Sequence, residues 1–292
     1  MSTPAYTAPA TLENALRIKG SYGADARVIA GGTDLILRMR DQVYSPKMLL
    51  DLRRLALNTM SNHNGEMHLG AYLSHAQILA SSELAAVFPA LVEACRPFAG
   101  PPIRNRGTVG GNLVNASPAA DLVPPLMAYD ASVLLVSNKG QRLVPLTGFF
   151  TGPGKTVLQA DEILTEIRLP LPPPRTAAVF SKLGQRQSMA ISIVNLAVRL
   201  SLDTAGIVAS ARIVLGSVAP TAIRALSAER ILQGIVLSSE CISQAAVAAG
   251  REIAPIDDVR SSKAYRNRVT EVLVRRALTA AWNELEGKRR DD

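Results

Sequence analysis

Two glycine-rich segments contain the residue types best suited to binding a charged ligand. AGGTD, residues 30–34, stands between an apolar run and a helical pattern, and TVGGN, residues 108–112, places a hydroxyl before a glycine pair and an amide after it. Glycine lets the backbone adopt positive φ and approach a ligand without an intervening Cβ. Successive N–H groups in such a turn, followed by a helix N-terminus, form a nest for an anion, and phosphate is its natural occupant.

Neither segment identifies a nucleotide site by itself. AGGTD lacks the lysine of a Walker loop and does not match G-x-G-x-x-G, so a tight structural turn stays an equal alternative. TVGGN continues into NASPAAD, which contains Ser117 and Asp121. Because a carboxylate would repel a diphosphate, we expect Asp121 to accept hydrogen bonds from ribityl or ribose hydroxyls, or else to cap a helix that begins near Leu122. The residues alone therefore indicate a nucleotide-cofactor binder with two lobes.

The composition is that of a globular protein of about two domains. Hydrophobic residues make up 48% of the 292 residues and charged residues 19%, which is too apolar for a disordered chain. The net charge of +8 raises the question of nucleic acid, but the basic residues alternate with acids and no basic run carries aromatic residues that could stack on bases. We therefore expect no nucleic-acid partner. No apolar run is long enough for a transmembrane helix, and the N-terminus has no signal-peptide pattern.

The cysteines and histidines do not form a recognisable metal or catalytic pattern. Cys95 and Cys241 are far apart in sequence, so neither a disulfide framework nor a cysteine-ligated metal or iron–sulfur site is predicted, and the cytoplasm is the expected compartment. His63, His68 and His75 are spaced unlike metal ligands, and we expect structural or surface roles for them. No His–Asp–Ser or His–Cys arrangement is visible, so no catalytic residue is predicted on this chain.

Hydrophobic periodicity predicts an α+β fold with a first domain over residues 1–172, in lobes of about 1–57 and 58–172. In the first lobe Thr11 is expected to cap a helix that ends near Tyr22, and strands are expected in RVIAGG and KMLLDL. In the second lobe SHAQ predicts a capping box that opens a helix at Ser74. Further expected elements are a helix at Glu83–Arg96, a hairpin turned by Asn138-Lys139-Gly140 and a strand in DEILTEIRLP.

LPPPR is the clearest linker, and a second domain over residues 176–287 is expected to follow it. AVFSKLGQ, IVNLAVRLSLD and IVASARIVLGSV read as three antiparallel strands, with Gly206 in the turn between the last two. Helices are expected at about 227–233, 239–252 and 262–286. The predicted C-terminal domain is thus a three-stranded antiparallel sheet with helices.

Several of these segments closely resemble the FAD-binding medium subunit of the molybdenum hydroxylases, the family of xanthine dehydrogenase and carbon monoxide dehydrogenase. The resemblance covers nearly the whole chain, and its motifs occur in the family's order. They are AGGTDL, IRNRGTVGGNLVNASPAADL, DEILTEIRLP, FSKLGQRQSMAISIVN, ARIVLGSVAPTAIRA and IDDVRSSKAYRNRVTEVLVRRAL. The resemblance implies a two-lobed, p-cresol methylhydroxylase-like FAD-binding domain and a C-terminal domain that closes over the flavin.

The resemblance also implies a set of cofactor contacts. Asp121 matches the family's hydroxyl-binding carboxylate, and Ser117 lies in the same matched string. The remaining backbone contacts fall on two loops. The diphosphate loop is Ala30, Gly31, Gly32, Thr33 and Asp34, and the second loop is Thr108, Val109, Gly110, Gly111 and Asn112.

Four further positions are matched to the flavin or the adenine, each with an ordinary structural alternative. Leu164 matches an adenine-side or flavin-side contact and Ile191 a residue over the isoalloxazine ring, although both could be strand core. Lys182 matches a lysine near the flavin, where its charge would stabilise reduced flavin, but it could be a surface lysine. Phe98 falls where relatives place an aromatic ring that can stack on the cofactor, but it could fill a core.

By family analogy, the chain works inside a larger complex. The resemblance implies a molybdenum–pterin cofactor on a large subunit and two 2Fe–2S clusters on a small subunit, with FAD on this chain and a dimer of heterotrimers overall. Electrons would pass from the clusters through this chain to an external acceptor. Two alternatives are a free-standing FAD oxidoreductase of the same fold with its own small substrate, and a flavin-free basic scaffold.

Overall fold

The structure is a computed structural model that describes residues 3–186 and 189–291. The strands are β1 Ala5–Thr7, β2 Ala26–Ile29, β3 Met48–Asp51, β4 Met60–His63, β5 Glu66–Gly70, β6 Ser132–Ser137, β7 Gly140–Pro145, β8 Phe150–Gly152, β9 Lys155–Thr156, β10 Ile163–Pro170, β11 Thr176–Gly184, β12 Ser192–Leu202, β13 Val208–Gly216 and β14 Ile223–Arg224. The helices are α1 Leu12–Tyr22, α2 Leu35–Arg40, α3 His75–Ala80, α4 Ser82–Val87, α5 Pro89–Cys95, α6 Pro101–Arg106, α7 Val109–Asn115, α8 Val123–Ala128, α9 Leu226–Leu232, α10 Ser239–Arg251 and α11 Lys263–Asp291.

The contacts divide the chain into two compact units that do not follow sequence order. Unit 1 contains Met1–Ile78, Gly100–Ala116 and Ala131–Pro170. Unit 2 contains Leu79–Ala99, Ser117–Asp130 and Leu171–Asp292. Two segments of the first predicted domain therefore pack with the sheet that follows the LPPPR linker. The α+β class predicted from the sequence is confirmed, since each unit combines sheets with helices.

Unit 1 is built on two main sheets. The first is parallel, in the order β1-β3-β2, and the second is antiparallel, in the order β4-β5-β10-β6-β7. A parallel pair needs a crossover connection, and α2 lies within the connection between β2 and β3. The buried core beneath α1 is formed by Ala15, Leu16, Leu50, Leu52, Leu55 and Ile163.

Unit 2 is built on one antiparallel sheet in the order β11-β12-β13-β14. All eleven residues of β12 are buried. Because successive strand side chains point to opposite faces, this uniform burial means that both faces of the central strand are covered. The three long strands are those expected from the sequence, and the short β14 is an addition. Among the described residues, none of the helices has the length and apolar character needed to cross a membrane.

Local sequence signals account for most of the predicted elements, with one wrong helix. Thr11 caps α1 by accepting a hydrogen bond from the Asn14 amide, and Ser74 and Gln77 form the predicted capping box. The expected helix over Glu83–Arg96 is instead two helices, α4 and α5, that meet at Phe88 and Pro89. Proline lacks an N–H and disfavours helical backbone in the preceding residue, so it begins a new helix here.

A buried lysine gives unit 1 a pH-dependent stability. The Lys19 side chain donates to the carbonyl oxygens of Gly23 at 2.7 Å and Ala26 at 2.9 Å at the end of α1. Burial, together with the positive charge of Arg27, lowers the pKa of Lys19 from about 10.5 to about 8. A neutral amine still has two N–H groups, so both hydrogen bonds survive deprotonation.

We expect the free energy of unfolding to rise between about pH 8 and 10.5, because the folded state then binds fewer protons at Lys19 than the unfolded state. Lys19→Met should remove this rise, whereas Lys155→Met at an exposed position should keep it. Denaturant unfolding of the three proteins at several pH values measures the difference. A wild-type minus Lys19→Met difference that falls with pH would contradict the assignment.

Candidate functional site

The first glycine loop of unit 1 offers backbone donors. It joins the end of β2 to the start of α2, and Gly32 has a φ of 73°, in the left-handed region that favours glycine. Within the described residues, the amides of Gly31, Gly32 and Thr33 donate to no protein acceptor. These successive N–H groups are the arrangement that binds an anion.

A close backbone contact fixes the first loop against the segment that precedes the second. A Cβ placed on Gly31 would lie 1.9 Å from the Arg106 carbonyl oxygen and 3.0 Å from the Gly107 amide nitrogen. In addition, the Tyr72 hydroxyl donates to the Ala30 carbonyl oxygen at 3.0 Å, and the Arg106 side chain donates to the Gly31 carbonyl oxygen at 3.3 Å. The first glycine loop therefore packs, inside unit 1, on the residues directly ahead of the second glycine segment.

The second segment is helical and differs from the expectation of a nest of free amides. Thr108 caps α7, and its hydroxyl accepts from the Gly111 amide at 3.0 Å. The Val109 and Gly110 amides donate to the carbonyl oxygens of Leu73 and Ala71, and the Asn112 amide donates to that of Thr108. Tertiary contacts thus use the Val109 and Gly110 amides, and local bonds to Thr108 use those of Gly111 and Asn112. A ligand could meet this segment at the exposed Gly111 and at the Asn112 side chain.

Arg38 joins α2, which follows the first loop, to α7, which contains the second glycine segment. Its guanidinium lies 2.6 Å from the Asp34 carboxylate and donates to the Asn115 side-chain oxygen at 3.1 Å.

Two other residues of unit 1 were considered in the sequence, His75 and Leu164. The buried His75 ring lies 2.7 Å from the Gly107 carbonyl oxygen, which is a structural role as expected. Leu164 is also in unit 1, buried in β10 at 5% exposure, where the strand-core alternative remains open.

In unit 2, Asp121 and Lys182 form a buried ion pair. Lys182 Nζ lies 2.5 Å from Asp121 Oδ2, and the two side chains are 8% and 5% exposed. Lys182 is therefore not a surface lysine. Asp121 does not cap α8, because Leu122 occupies the N-cap position and no side chain caps that helix. A buried carboxylate is stable only with a counter-charge and hydrogen bonds, and Lys182 supplies the charge.

Sequence reasoning missed two further partners of this carboxylate. The Ser192 hydroxyl donates to Asp121 Oδ1 at 2.6 Å, and the Asn195 amide donates to the same oxygen at 2.8 Å. Both side chains are fully buried in β12. The available signal was the presence of polar residues in the otherwise apolar run ISIVNLAV, since a buried polar group needs a hydrogen-bond partner.

A cavity of about 340 Å³ lies beside Lys182 in unit 2. It is lined by Pro97, Lys182, Leu183, Gly184, Arg186 and Ala190.

The other predicted site residues of unit 2 are Ile191, Phe98 and Ser117. Ile191 follows Ala190 and is 63% exposed, so it is not strand core. Phe98, next to Pro97, is half-buried, and the Ser117 hydroxyl accepts from the Ala119 amide at 3.2 Å. The structure thus brings Lys182 and Asp121 into contact. Ile191 and Phe98 are the chain neighbours of Ala190 and Pro97, which line the cavity.

Comparison with known proteins identifies the family. A model described as the FAD binding domain in molybdopterin dehydrogenase matches residues 2–172, and one described as the CO dehydrogenase flavoprotein C-terminal domain matches residues 179–281. The chain is a member of the FAD-binding medium subunits of the molybdenum hydroxylases. The resemblance found in the sequence is confirmed, and a member of this family is an oxidoreductase subunit.

Individual members of the family match over nearly their whole length. The chain is 32% identical to the carbon monoxide dehydrogenase medium chain of Hydrogenophaga pseudoflava, covering 95% of this chain and 96% of the relative. It is 30% identical to the xanthine dehydrogenase FAD-binding subunit of Escherichia coli O157:H7, covering 97% of each. A solved structure of carbon monoxide dehydrogenase from Hydrogenophaga pseudoflava, which lacks the Mo-pyranopterin moiety of its cofactor, superposes with a TM-score of 0.92 at 32% identity, over 97% of this chain and 98% of that one.

The residues present fit the FAD that this medium-subunit family binds. The first loop combines a close backbone approach at Gly31 with amides that lack acceptors among the residues that the structure describes, as a diphosphate requires. Asp121 uses three acceptor positions for Lys182, Ser192 and Asn195, and a carboxylate has about four, so one is left for a hydroxyl. Among the described residues, no group of His, Cys, Asp and Glu could hold a metal ion.

The close contact at Gly31 gives a stability prediction. Gly31→Ala should destabilise the protein by about 1–3 kcal/mol, because its Cβ would lie 1.9 Å from a backbone oxygen and the loop would have to move. Gly111→Ala is the matched control, since its Cβ would meet only the Thr108 hydroxyl, at 3.0 Å, and alanine favours the helix. Thermal unfolding of both variants checks this. Equal melting temperatures would show that Gly31 is not confined.

Proposed function

We propose that this chain is the FAD-carrying electron-transfer subunit of a heteromeric molybdenum hydroxylase. It receives electrons from 2Fe–2S clusters on a small partner subunit and passes them to an external acceptor, while substrate is oxidised at a molybdenum–pterin cofactor on a large subunit. The proposed assembly is a dimer of heterotrimers in the cytoplasm. When bound, FAD supplies the redox chemistry, and no catalytic residue of this chain is required beyond it.

The observation that carries the proposal is the first glycine loop. Three successive amides, at Gly31, Gly32 and Thr33, lack protein acceptors among the described residues, and they lie in a loop fixed by the contact between Gly31 and Arg106. A preorganised row of donors binds a diphosphate without first having to order the loop. Relatives of nearly equal length carry the names medium chain and FAD-binding subunit, which supports partner chains for this one.

The other predicted contacts divide between the two units. We assign Ala30–Asp34, Thr108–Asn112 and Leu164 of unit 1 to the diphosphate and adenine part of FAD. We assign the side chains of unit 2 to the ribityl chain and the flavin, and they are Phe98, Ser117, Asp121, Lys182 and Ile191. The Lys182 charge is compensated by Asp121, so its effect on the flavin would be that of an oriented ion pair.

The chain expressed alone should be yellow and should release FAD on heating. Gly111→Val should abolish FAD retention while the protein stays folded, because Gly111 is exposed on α7 and a bulky side chain there would occupy the surface that we assign to the diphosphate. Gly148→Val is the matched control, since a Cβ there meets nothing within 4 Å. Visible spectra and circular dichroism measure both. A colourless wild type that gains no flavin bands from added FAD would refute the proposal, and normal FAD retention by Gly111→Val would remove the second loop from the site.

A tagged copy of the chain should co-purify with two other chains when it is produced in its native host. Metal analysis should find iron and molybdenum in that complex and neither in the tagged chain produced alone. A flavin-containing chain that purifies by itself from the native host, without iron and molybdenum, would favour the free-standing FAD oxidoreductase. Analytical ultracentrifugation of the complex tests the dimer of heterotrimers.

A further inference from the structure

The Asp121 carboxylate is held on both oxygens. Oδ2 accepts from Lys182 at 2.5 Å, and Oδ1 accepts from Ser192 at 2.6 Å and from Asn195 at 2.8 Å. The serine hydroxyl and the amide nitrogen both donate here, so together they fix the rotation of the carboxylate group. All these groups lie in unit 2, where Lys182 also lines the cavity of about 340 Å³.

The register of the sheet explains why Asn195 reaches Asp121. Lys182 of β11 pairs directly with Asn195 of β12, which pairs with Gly216 of β13. Directly opposite residues share a face of the sheet. A Cβ on Gly216 would lie 2.1 Å from Asn195 Oδ1 and 3.2 Å from a side-chain carbon of Pro124 in α8. Glycine at 216 therefore makes room for the asparagine amide beneath the segment that carries Asp121.

A second buried charge fixes the backbone on either side of Asn195 and Gly216. Arg266 of α11 is 1% exposed and donates to the carbonyl oxygens of Ile193 at 2.9 Å and Ser217 at 2.7 Å. It also donates to Asp258 at 2.8 Å, and hydrogen bonds from Arg260 hold the pKa of that carboxyl well below its usual range. The strand positions of Ser192, Asn195 and Gly216 are thus set by contacts outside the ion pair.

We infer that Ser192 and Asn195 are positioning residues, which hold the Asp121 carboxylate and through it keep the Lys182 ammonium at the wall of the flavin cavity. This rests on the proposed function, in which unit 2 contacts the flavin. A lysine side chain has four flexible methylene groups, and a carboxylate that can rotate would not confine it. With both donors present, the ammonium and its counter-charge keep one orientation toward the cofactor.

The flavin is the measured probe of this arrangement. Loosening the carboxylate leaves the Lys182 charge less compensated, which stabilises reduced flavin, so the midpoint potential should shift to more positive values. Ser192→Ala and Asn195→Ala should each raise the FAD dissociation constant about tenfold, because the Lys182 side chain would then have to be ordered when the cofactor binds. Asp121→Asn, which removes the counter-charge, sets the positive limit of the potential shift.

The matched control lies on the same strand. Ser201 is also buried in β12, and its hydroxyl lies 2.7 Å from the Thr176 hydroxyl, away from the ion pair. Ser201→Ala should lower stability about as much as Ser192→Ala and leave the FAD dissociation constant and potential unchanged. In an Asp121→Asn background, Ser192→Ala should produce no further shift in potential, because the carboxylate through which it acts is absent.

The outcomes separate the two proposals. A wild-type protein that does not bind FAD refutes the proposed function. FAD binding by the wild type with equal dissociation constants and potentials for Ser192→Ala and Ser201→Ala overturns the positioning role, because both substitutions would then be purely structural. A full shift by Ser192→Ala in the Asp121→Asn background also overturns it. If Asn195→Ala fails to fold, the Ser192→Ala cycle alone decides.

Discussion

The buried carboxylate of Asp121 is the constraint on which the arrangement of unit 2 depends. An isolated charge inside a protein is very unfavourable, and removal of one partner from a buried pair typically destabilises by about 3–5 kcal/mol. Asp121 is 4% exposed, so a counter-charge and donors must be supplied wherever the chain places it. β11 supplies the lysine, and β12 supplies the serine and the asparagine. Because breaking this pair is so unfavourable, the segment before α8 must keep its place on the sheet. A shift in the register of β11 and β12 would move the partners of Asp121 away from it.

In unit 1 the close contacts are made mainly by the main chain. Gly31 packs directly on the backbone at Arg106 and Gly110 on that at Ala71, since a Cβ on Gly110 would lie 2.7 Å from the Ala71 carbonyl oxygen. These contacts hold the first loop in one shape, while the amides of Gly31, Gly32 and Thr33 have no protein acceptor in the described part of the chain. Rigid main-chain donors suit a diphosphate, and the one carboxylate of this loop, Asp34, is paired with Arg38. An ion pair suits a group whose charge changes during electron transfer.

The elements that could be predicted from the sequence are those with local signals. Thr11 before an amphipathic run and the Ser74–Gln77 box define helix starts through short-range hydrogen bonds, and the apolar runs of the C-terminal sheet, rich in β-branched residues, indicate its strands directly. The helix α7 has a local cap at Thr108, but its glycines disfavour helix, and the Val109 and Gly110 amides bond to residues about 36–39 positions earlier in the chain. The partners of Asp121 were hidden for the same reason. Asn195 is 74 residues away, and only strand register brings it there.

Gly216 shows which role of a glycine can be predicted from the sequence and which role only the structure reveals. In the sequence, LGSVAP marks the end of a strand, and a glycine there reads as an ordinary terminator. In the structure its backbone needs no left-handed φ, and its lack of a side chain leaves the space that the side chains of Asn195 and Pro124 occupy. The same residue type thus has three separate uses in this chain: turn geometry at Gly32, close main-chain packing at Gly31 and space for a polar side chain at Gly216. Composition cannot distinguish them, because the difference lies in what a Cβ would meet, and that is set by residues distant in sequence.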